Sequence, residues 1–314
     1  MTDLTHKRAL VNGITLHYVT AGSGPVVLCM HGWPQNHREF LPVIDGLADR
    51  YTFIAPDLRG YADSDNPADG YEPLTIAEDM VALLSSEGVD RFHILSHDLG
   101  GPPSVALAYR AQNRVLSLAT IETPFFGLSY PGYVDPQVAY WHLAMHSHVD
   151  ITHFLIEGRE DQYLRHFFRD FAYNPTAMPE DEVRQYVMQM RQPGNLRSSL
   201  NHYGYIPKMA AQTAELTQTP LTVPMLAWGG RASFGEHCVA SARAIACGAE
   251  GGVIEECGHW VFEERPDFIR EELARFWSTA AIAPRRHAPS VPLARPVAAR
   301  EQAARSAVPV STRS

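Results

Sequence analysis

An aspartate, Asp98, lies in the segment SHDLGG, between the apolar run RFHIL and the helix-like stretch PSVALAYRA. Small residues two positions before and after it, Ser96 and Gly100, are typical of a nucleophile on a sharp strand-to-helix turn, where the two elements approach closely. A carboxylate that displaces a group from a saturated carbon forms an alkyl ester, which water can then hydrolyse. Asp98 is therefore predicted to attack an epoxide or a carbon–halogen bond. The alternative is an aspartate that only caps the following helix.

Two other segments carry groups that this chemistry needs. The segment HGWP, residues 31–34, follows an apolar run, and a sharp loop there can present the backbone amide of Trp33. The amide of Leu99 would be the second donor to a developing oxyanion. The segment ECGHW follows the last predicted strand and places His259 on a loop, where it can act as a general base. A single histidine is more often structural, but this context favours a catalytic role.

Short segments that are apolar on both faces alternate with helix-like segments along the chain. This pattern predicts a mostly parallel sheet covered by helices on both sides, with the chemistry at the carboxyl ends of the strands. Before them, RALV-NG-ITLHYV predicts a β-hairpin with the turn Asn12-Gly13. The predicted parallel strands are VVLCM (26–30), YTFIAP (51–56), RFHILS (91–96), VLSLATI (115–121), VPMLAW (223–228) and GGVIEE (251–256).

The long interval between VLSLATI and VPMLAW contains no clear strand pattern. It is rich in aromatic residues and histidines and has helical character. A helical cap domain is therefore predicted at residues 128–214, inserted into an α/β core of residues 1–127 and 215–279. Residues 280–314 are rich in proline, arginine and alanine, and we expect a flexible tail without a packed core.

The composition argues against several classes of function. The 314 residues carry a net charge of −9, which gives no sign of a nucleic-acid partner. No apolar run approaches the roughly 20 residues that span a bilayer, so no membrane partner is predicted. The segment MTDLTHKRALVNG has no apolar signal core and the four cysteines show no paired spacing, so we expect reduced thiols in a cytoplasmic protein. No metal or organic cofactor is predicted, and a homodimer is compatible with the sequence.

The segments HGWP, DLRGYADSD (57–65), SHDLGG and CGHW resemble, in order and spacing, those of the α/β-hydrolase fold family, over residues 8–279. Within that family, an aspartate at the turn resembles the branch that contains epoxide hydrolases, haloalkane dehalogenases and fluoroacetate dehalogenases. The resemblance implies a mostly parallel sheet flanked by helices, with an inserted helical cap. It also implies a catalytic acid that orients His259.

The position of that acid departs from the commonest pattern of the family. Many relatives carry it in a W-G-x-x-D segment after the strand that corresponds to VPMLAW, but here the segment reads WGGRA, residues 228–232, and the acid is absent. Another group of epoxide hydrolases carries it after the preceding strand, just before the cap. Glu122 fits that position, so the resemblance implies Glu122 as the orienting acid, with Glu236 as a poorer substitute.

The branches of the family differ in how they hold the leaving group. Haloalkane dehalogenases usually have a tryptophan directly after the nucleophile, and fluoroacetate dehalogenases resemble D-R-G-x-R at that point. This chain has Leu99 there and lacks both arginines. Epoxide opening needs a proton donor for the oxygen. The resemblance implies His142, in the segment YWH, together with Tyr203, and Tyr205 remains a competitor for the tyrosine role.

These features predict an epoxide hydrolase that converts a small apolar epoxide and water into a vicinal diol. The predicted pocket between cap and core is lined by Trp33, Phe125, Phe126, Leu143 and Trp260. The alternatives are a haloacid or haloalkane dehalogenase with the same nucleophile and a non-enzymatic binding protein of the fold. The i, i+4 pair His142 and His146 is not favoured as a metal site, because no third ligand accompanies it in a matching motif.

Overall fold

The computed structural model describes residues 2–280. Its strands alternate with helices from the third strand onward, as the apolar segments predict. Within the described range the strands are β1 (Thr5–Val11), β2 (Ile14–Gly22), β3 (Val26–Met30), β4 (Thr52–Pro56), β5 (Phe92–His97), β6 (Val115–Ile121), β7 (Met225–Gly230) and β8 (Glu250–Ile254).

The helices cover both faces of the sheet and fill the interval between β6 and β7. They are α1 (Leu41–Leu47), α2 (Pro73–Ser86), α3 (Gly101–Arg110), α4 (Pro136–Ala139), α5 (Trp141–Ser147), α6 (Val149–Ile156), α7 (Glu160–Asp170), α8 (Glu180–Met190), α9 (Asn195–Gly204), α10 (Ile206–Leu216), α11 (Glu236–Ile245), α12 (Val261–Glu264) and α13 (Pro266–Ala280). Two short 3-10 helices, His37–Phe40 and Asp98–Gly100, follow the ends of β3 and β5.

The strands form one mostly parallel sheet in the order β1-β2-β4-β3-β5-β6-β7-β8. β1 pairs with β2, and β2 with β4, in antiparallel fashion, whereas the other neighbours are parallel. The predicted hairpin is confirmed, because Val11 pairs with Ile14 across the turn. Asn12 and Gly13 adopt φ values of 44° and 79°, the left-handed conformation that a tight hairpin turn requires.

The predicted parallel strands agree with the observed ones to within two residues at each end. Strand β7 begins two residues later than predicted, at Met225 and not at Val223. Pro224 has no backbone N–H to donate, although its carbonyl oxygen accepts a hydrogen bond from the amide of Leu118 at 2.9 Å. The regular ladder with β6 therefore begins one residue later.

A buried apolar cluster on one face of the sheet fixes the strands in place. Inward side chains of the central strands, such as Val27 and Leu95, pack there with Phe262 of α12 and Trp277 of α13. Because all of β3, β5, β6, β7 and β8 run parallel, their carboxyl ends lie at one edge of the sheet. The loops that follow β3, β5, β6 and β8 carry Trp33, Asp98, Glu122 and His259, respectively.

The interval between β6 and β7 is helical, with α4 to α10 following one another in the described chain. This observation agrees with the helical character expected there, while the division at residues 128 and 214 into cap and core stays a prediction. Residues 281–314 lie outside the described residues, and with them the predicted tail. Within residues 2–280, no helix combines the length and the apolar character that crossing a bilayer requires.

Candidate active site

Asp98 stands on a sharp turn between β5 and α3. Its φ is 44°, in the left-handed region that residues other than glycine seldom adopt. The glycines around this turn, Gly32 and Gly100, cannot be replaced by larger residues without a clash. A Cβ at Gly32 would overlap the Cβ of Asp98, and a Cβ at Gly100 would overlap the carbonyl oxygen of Met30. Strain of this kind is often concentrated at functional sites.

Ser96, two residues before Asp98, is buried within the fold. Its Oγ lies 2.9 Å from Oγ of Ser104 in α3 and 3.4 Å from the carbonyl oxygen of Ala119. The hydroxyl therefore joins β5 to its neighbours and is not the side chain that the turn presents.

The carboxylate of Asp98 is buried and faces two backbone amides. The N–H of Trp33 donates to Oδ2 at 3.0 Å. Burial raises the pKa of Asp98, while the nearby imidazoles of His259 and His97 and the N–H groups of Trp33 and Leu99 oppose that shift. The two amides stabilise negative charge on the carboxylate of Asp98, and the same donors can stabilise the oxyanion of a tetrahedral intermediate at this carboxyl group.

His259 lies between two carboxylates. Its Nδ1 is 2.9 Å from Oε2 of Glu122, and its Nε2 is 4.0 Å from Oδ1 of Asp98. Glu122 has a φ of 47°, and its Oε1 accepts a hydrogen bond from the N–H of Gly230 at 2.6 Å. The acid thus binds the end of β7 with one oxygen and the imidazole with the other.

Burial sets the charge states of this pair. It raises the pKa of Glu122 to about 7 and, together with His97, lowers the pKa of His259 to about 3. Near neutral pH the imidazole is therefore neutral, with the Nδ1–H donating to Glu122. The separation of 4.0 Å from Asp98 is longer than a hydrogen bond, so Nε2 is available to take a proton from a water.

A narrow cavity lies over the carboxylate of Asp98. Tyr203 and His142 are part of its wall, as Asp98 and His259 are. Burial raises the pKa of Tyr203 well above its ordinary value and lowers that of His142 to about 3, so both side chains are neutral. The complete lining is Trp33, Asp98, Tyr140, His142, Phe167, Phe171, Tyr203, Ser233, Phe234 and His259.

The two competing residues of the sequence analysis lie elsewhere. The hydroxyl oxygen of Tyr205 accepts a hydrogen bond from the N–H of Gly70 at 3.3 Å, and Tyr205 is not part of the cavity wall. The side chain of Glu236 is 80% exposed and lies 3.6 Å from Arg231 in an ion pair. Their positions favour Tyr203 as the cap tyrosine and Glu122 as the orienting acid.

Comparisons with known proteins identify the family of this chain. A family model described as the alpha/beta hydrolase fold matches residues 25–266. The chain belongs to the α/β-hydrolase fold family. It is 35% identical over 288 residues to the "Soluble epoxide hydrolase" of Corynebacterium sp. (strain C12), a match that covers 88% of this chain and 98% of that protein.

Two further relatives bear on the chemistry of this α/β-hydrolase. The solved structure described as "Epoxide hydrolase CorEH without ligand" has a TM-score of 0.83 and 34% identity, covering 88% of this chain and 99% of that one. A "Fluoroacetate dehalogenase" of Burkholderia sp. is 36% identical over 144 residues, which is 42% of this chain and 45% of that protein.

Four residues predicted to line the pocket of the α/β-hydrolase are buried but are not part of the cavity wall: Phe125, Phe126, Leu143 and Trp260. The ring of Trp260 packs 4.8 Å from that of His259, and its Nε1 donates to the carbonyl oxygen of Phe168 at 2.8 Å. Trp33 is part of the wall as well as an amide donor. A role of the four buried residues in binding substrate stays a prediction.

A buried ion pair that no sequence pattern indicated lies behind His259. Nδ1 of His97 donates to Oε2 of Glu39 at 3.2 Å, and its Nε2 donates to the carbonyl oxygen of His259 at 3.0 Å. Burial alone would lower the pKa of His97, but Glu39 raises it to about 9. Glu39 precedes His97 by 58 residues, so no local pattern connects them.

Proposed function

We propose that the protein is an epoxide hydrolase that converts a small apolar epoxide and water into a vicinal diol. The observation that carries the proposal is the arrangement of Asp98, which lines one cavity together with Tyr203 and His142 and whose Oδ1 lies 4.0 Å from Nε2 of the neutral imidazole of His259. A carboxylate nucleophile suits a saturated carbon, because the product is an ester that water can hydrolyse. The similarity to the Corynebacterium epoxide hydrolase supports the same reaction.

The first step in this proposal is ring opening. Oδ2 of Asp98 is held by the amide of Trp33, so Oδ1 is the oxygen free to attack. It forms a bond to one epoxide carbon while the bond from that carbon to the ring oxygen breaks. Tyr203 donates its proton to the oxygen that leaves and becomes a tyrosinate, while a ring N–H of His142 donates a hydrogen bond to the same oxygen. The product is a hydroxyalkyl ester of Asp98.

The second step is hydrolysis of that ester. Nε2 of His259 takes a proton from water, and the resulting hydroxide attacks the carboxyl carbon of Asp98. Negative charge then develops on Oδ2, opposite the N–H groups of Trp33 and Leu99. Glu122 stabilises the imidazolium through Nδ1–H. The ester C–O bond breaks and the proton on His259 passes to the departing alkoxide, which releases the diol and leaves Asp98 as a carboxylic acid. This remaining proton returns to the tyrosinate of Tyr203, which restores the carboxylate of Asp98.

A dehalogenase is the second candidate, because it would use the same nucleophile and because the chain is partly similar to a fluoroacetate dehalogenase. The wall of the cavity argues against an anionic haloacid. Among the described residues that line it there is no arginine or lysine, so a substrate carboxylate would have no cationic partner. An apolar epoxide fits the aromatic rings of Phe167, Phe171 and Phe234.

Parallel assays test the proposal. The purified protein is incubated with styrene oxide, fluoroacetate, chloroacetate and a 1-chloroalkane, and diol and halide are measured; Asp98→Asn serves as the inactive control. Diol formation without halide release is expected. Halide release from any of the halogenated compounds, with no diol from the epoxide, would reverse the ranking of the two candidates. A cytoplasmic location and a homodimer stay predictions.

A further inference from the structure

A second cluster of titratable side chains lies at the antiparallel edge of the sheet. His6 is on β1, His17 on β2, His37 at the start of the 3-10 helix His37–Phe40, and Asp57 directly after β4. Ligand atoms of His17, His37 and Asp57 all lie within 4.8 Å of one another, and all three residues are buried. His6 is exposed beside them.

Asp57 fixes the orientation of two of the imidazoles. Nδ1 of His17 donates to Oδ2 of Asp57 at 2.7 Å, and Nδ1 of His37 donates to Oδ1 at 2.6 Å. In the tautomer whose Nδ1–H donates to Asp57, the Nε2 of each ring carries a lone pair. A carboxylate that holds Nδ1–H in this way is the usual outer support of a histidine that binds a metal through Nε2.

The backbone around Asp57 makes this arrangement rigid. The amide of Asp57 donates to the carbonyl oxygen of His17 at 2.9 Å. Ser64 connects the same two residues, because its Oγ accepts from the N–H of His17 at 2.9 Å and donates to the carbonyl oxygen of Asp57 at 2.6 Å. The amide of His37 also donates to Oδ1 of Asp57, at 3.2 Å. The imidazoles are thus positioned by several contacts.

The third imidazole completes a triangle. His6 lies on the same face of the hairpin as His17, diagonally across the strand pair, and its Nδ1 is 2.9 Å from Nε2 of His17. The ring centroids are 5.1 Å apart for His6 and His17, 5.2 Å for His17 and His37, and 5.9 Å for His6 and His37. Three imidazoles on one tetrahedral ion at about 2.0–2.1 Å would have ring centres about 5 Å apart.

We infer that His6, His17 and His37 bind one divalent transition-metal ion of the Zn²⁺ class, with Asp57 as the outer carboxylate. Imidazole nitrogens suit Zn²⁺, Ni²⁺ and Cu²⁺. In the described residues the ion-pair partners of Asp57 are His17 and His37, so a cation here would balance its buried charge when both rings are neutral. A small outward movement of the exposed His6 makes room for the ion. The metal would fasten the edge strand β1 to β2 and β4, away from the cavity over Asp98.

Metal titrations of the tag-free, full-length protein test this inference. After treatment with EDTA, the protein is titrated with Zn²⁺ by calorimetry and with Co²⁺ by visible absorption. The site predicts one high-affinity Zn²⁺ per chain, a higher Tm with Zn²⁺, and the ligand-field spectrum of four-coordinate Co²⁺. His6→Ala, a change of an exposed side chain, should weaken Zn²⁺ binding by at least about tenfold.

The matched control is His166→Ala, which removes another exposed histidine, on α7, outside the cluster. Its Zn²⁺ affinity should equal that of the wild type. Equal affinities of His6→Ala and the wild type, or no saturable binding by the wild type, would overturn the inference. If His6→Ala fails to fold, the wild-type Co²⁺ spectrum decides, and a six-coordinate spectrum or none counts against the site. None of these readouts depends on epoxide turnover.

Discussion

Nδ1 of His259 lies 2.9 Å from Oε2 of Glu122, an acid that follows β6 and not β7. The two strands are neighbours, and Ile121 pairs with Trp228 at their carboxyl ends. An acid after either strand can therefore reach the same histidine. This adjacency explains how Glu122 contacts His259 although the segment WGGRA, residues 228–232, carries no acid.

Glu122→Gln should lower kcat by about 10²–10⁴-fold. The two oxygens of Glu122 both accept hydrogen bonds, from the N–H of Gly230 and from His259. A glutamine must direct its NH₂ group towards one of these donors, so it cannot satisfy both. Steady-state turnover of styrene oxide measures the effect. The exposed Glu236→Gln is the matched control, and a larger loss in that variant would move the acid to Glu236.

Tyr203→Phe should slow ring opening by about 10²-fold or more, because it removes one of the two proposed donors in the cavity that Asp98 lines. Tyr205→Phe should leave the rate nearly unchanged, since its hydroxyl contacts Gly70 outside the cavity wall. Single-turnover experiments that follow the formation of the ester separate this step from hydrolysis. A large loss of rate in Tyr205→Phe with little loss in Tyr203→Phe would instead identify Tyr205 as the proton donor.

Below about pH 7 the kcat of the wild type should decrease as the pH is lowered. Well below that pH, the decrease should reach about tenfold per pH unit. Burial raises the pKa of Glu122 to about 7, and a proton taken up by the Glu122–His259 pair leaves it unable to activate water. The decrease in kcat should therefore begin at a pH well above the pKa range of an ordinary glutamate. A profile at saturating epoxide measures it, and a kcat that stays constant down to about pH 5 would contradict the assigned charge states.

His97→Gln should lower the free energy of unfolding by about 3 kcal/mol, because it leaves Glu39 as a buried charge without a cation. The pKa of His97 is raised from 6.5 to about 9, so its stabilisation is complete below pH 6.5 and is lost as the pH rises to about 9. Urea unfolding across that range should show a steeper decline for the wild type than for the variant.

Part of that decline is common to both proteins, because burial also raises the pKa of Glu263 to about 8. The informative quantity is therefore the difference between the two pH profiles. The double variant Glu39→Gln/His97→Gln should be less destabilised than the sum of the single variants. Two results together would show that His97 and Glu39 do not act as an ion pair: parallel pH profiles for the wild type and His97→Gln, and additive destabilisation in the double variant.

The sequence predicted those parts of the site that depend on local pattern. Asp98 and His259 follow apolar strands, and the small residues around Asp98 mark a close turn, so short segments identified them. The wall of the cavity depends on how α5, α7 and α9 pack over the sheet. An apolar residue near the site, such as Phe125, can face either the cavity or the interior, and its type does not distinguish them. His97 and Glu39 come from distant segments of the chain, so no local sequence pattern indicates that they pair.

The most direct measurement is the mass of the intact His259→Gln protein after incubation with styrene oxide. Asp98 can still open the ring in this variant, but the ester cannot be hydrolysed. We predict an adduct equal in mass to the whole epoxide, located on Asp98 by peptide mapping and absent from Asp98→Asn/His259→Gln. No adduct, or an adduct on another residue, would contradict the central claim that Asp98 is the nucleophile of an epoxide hydrolase.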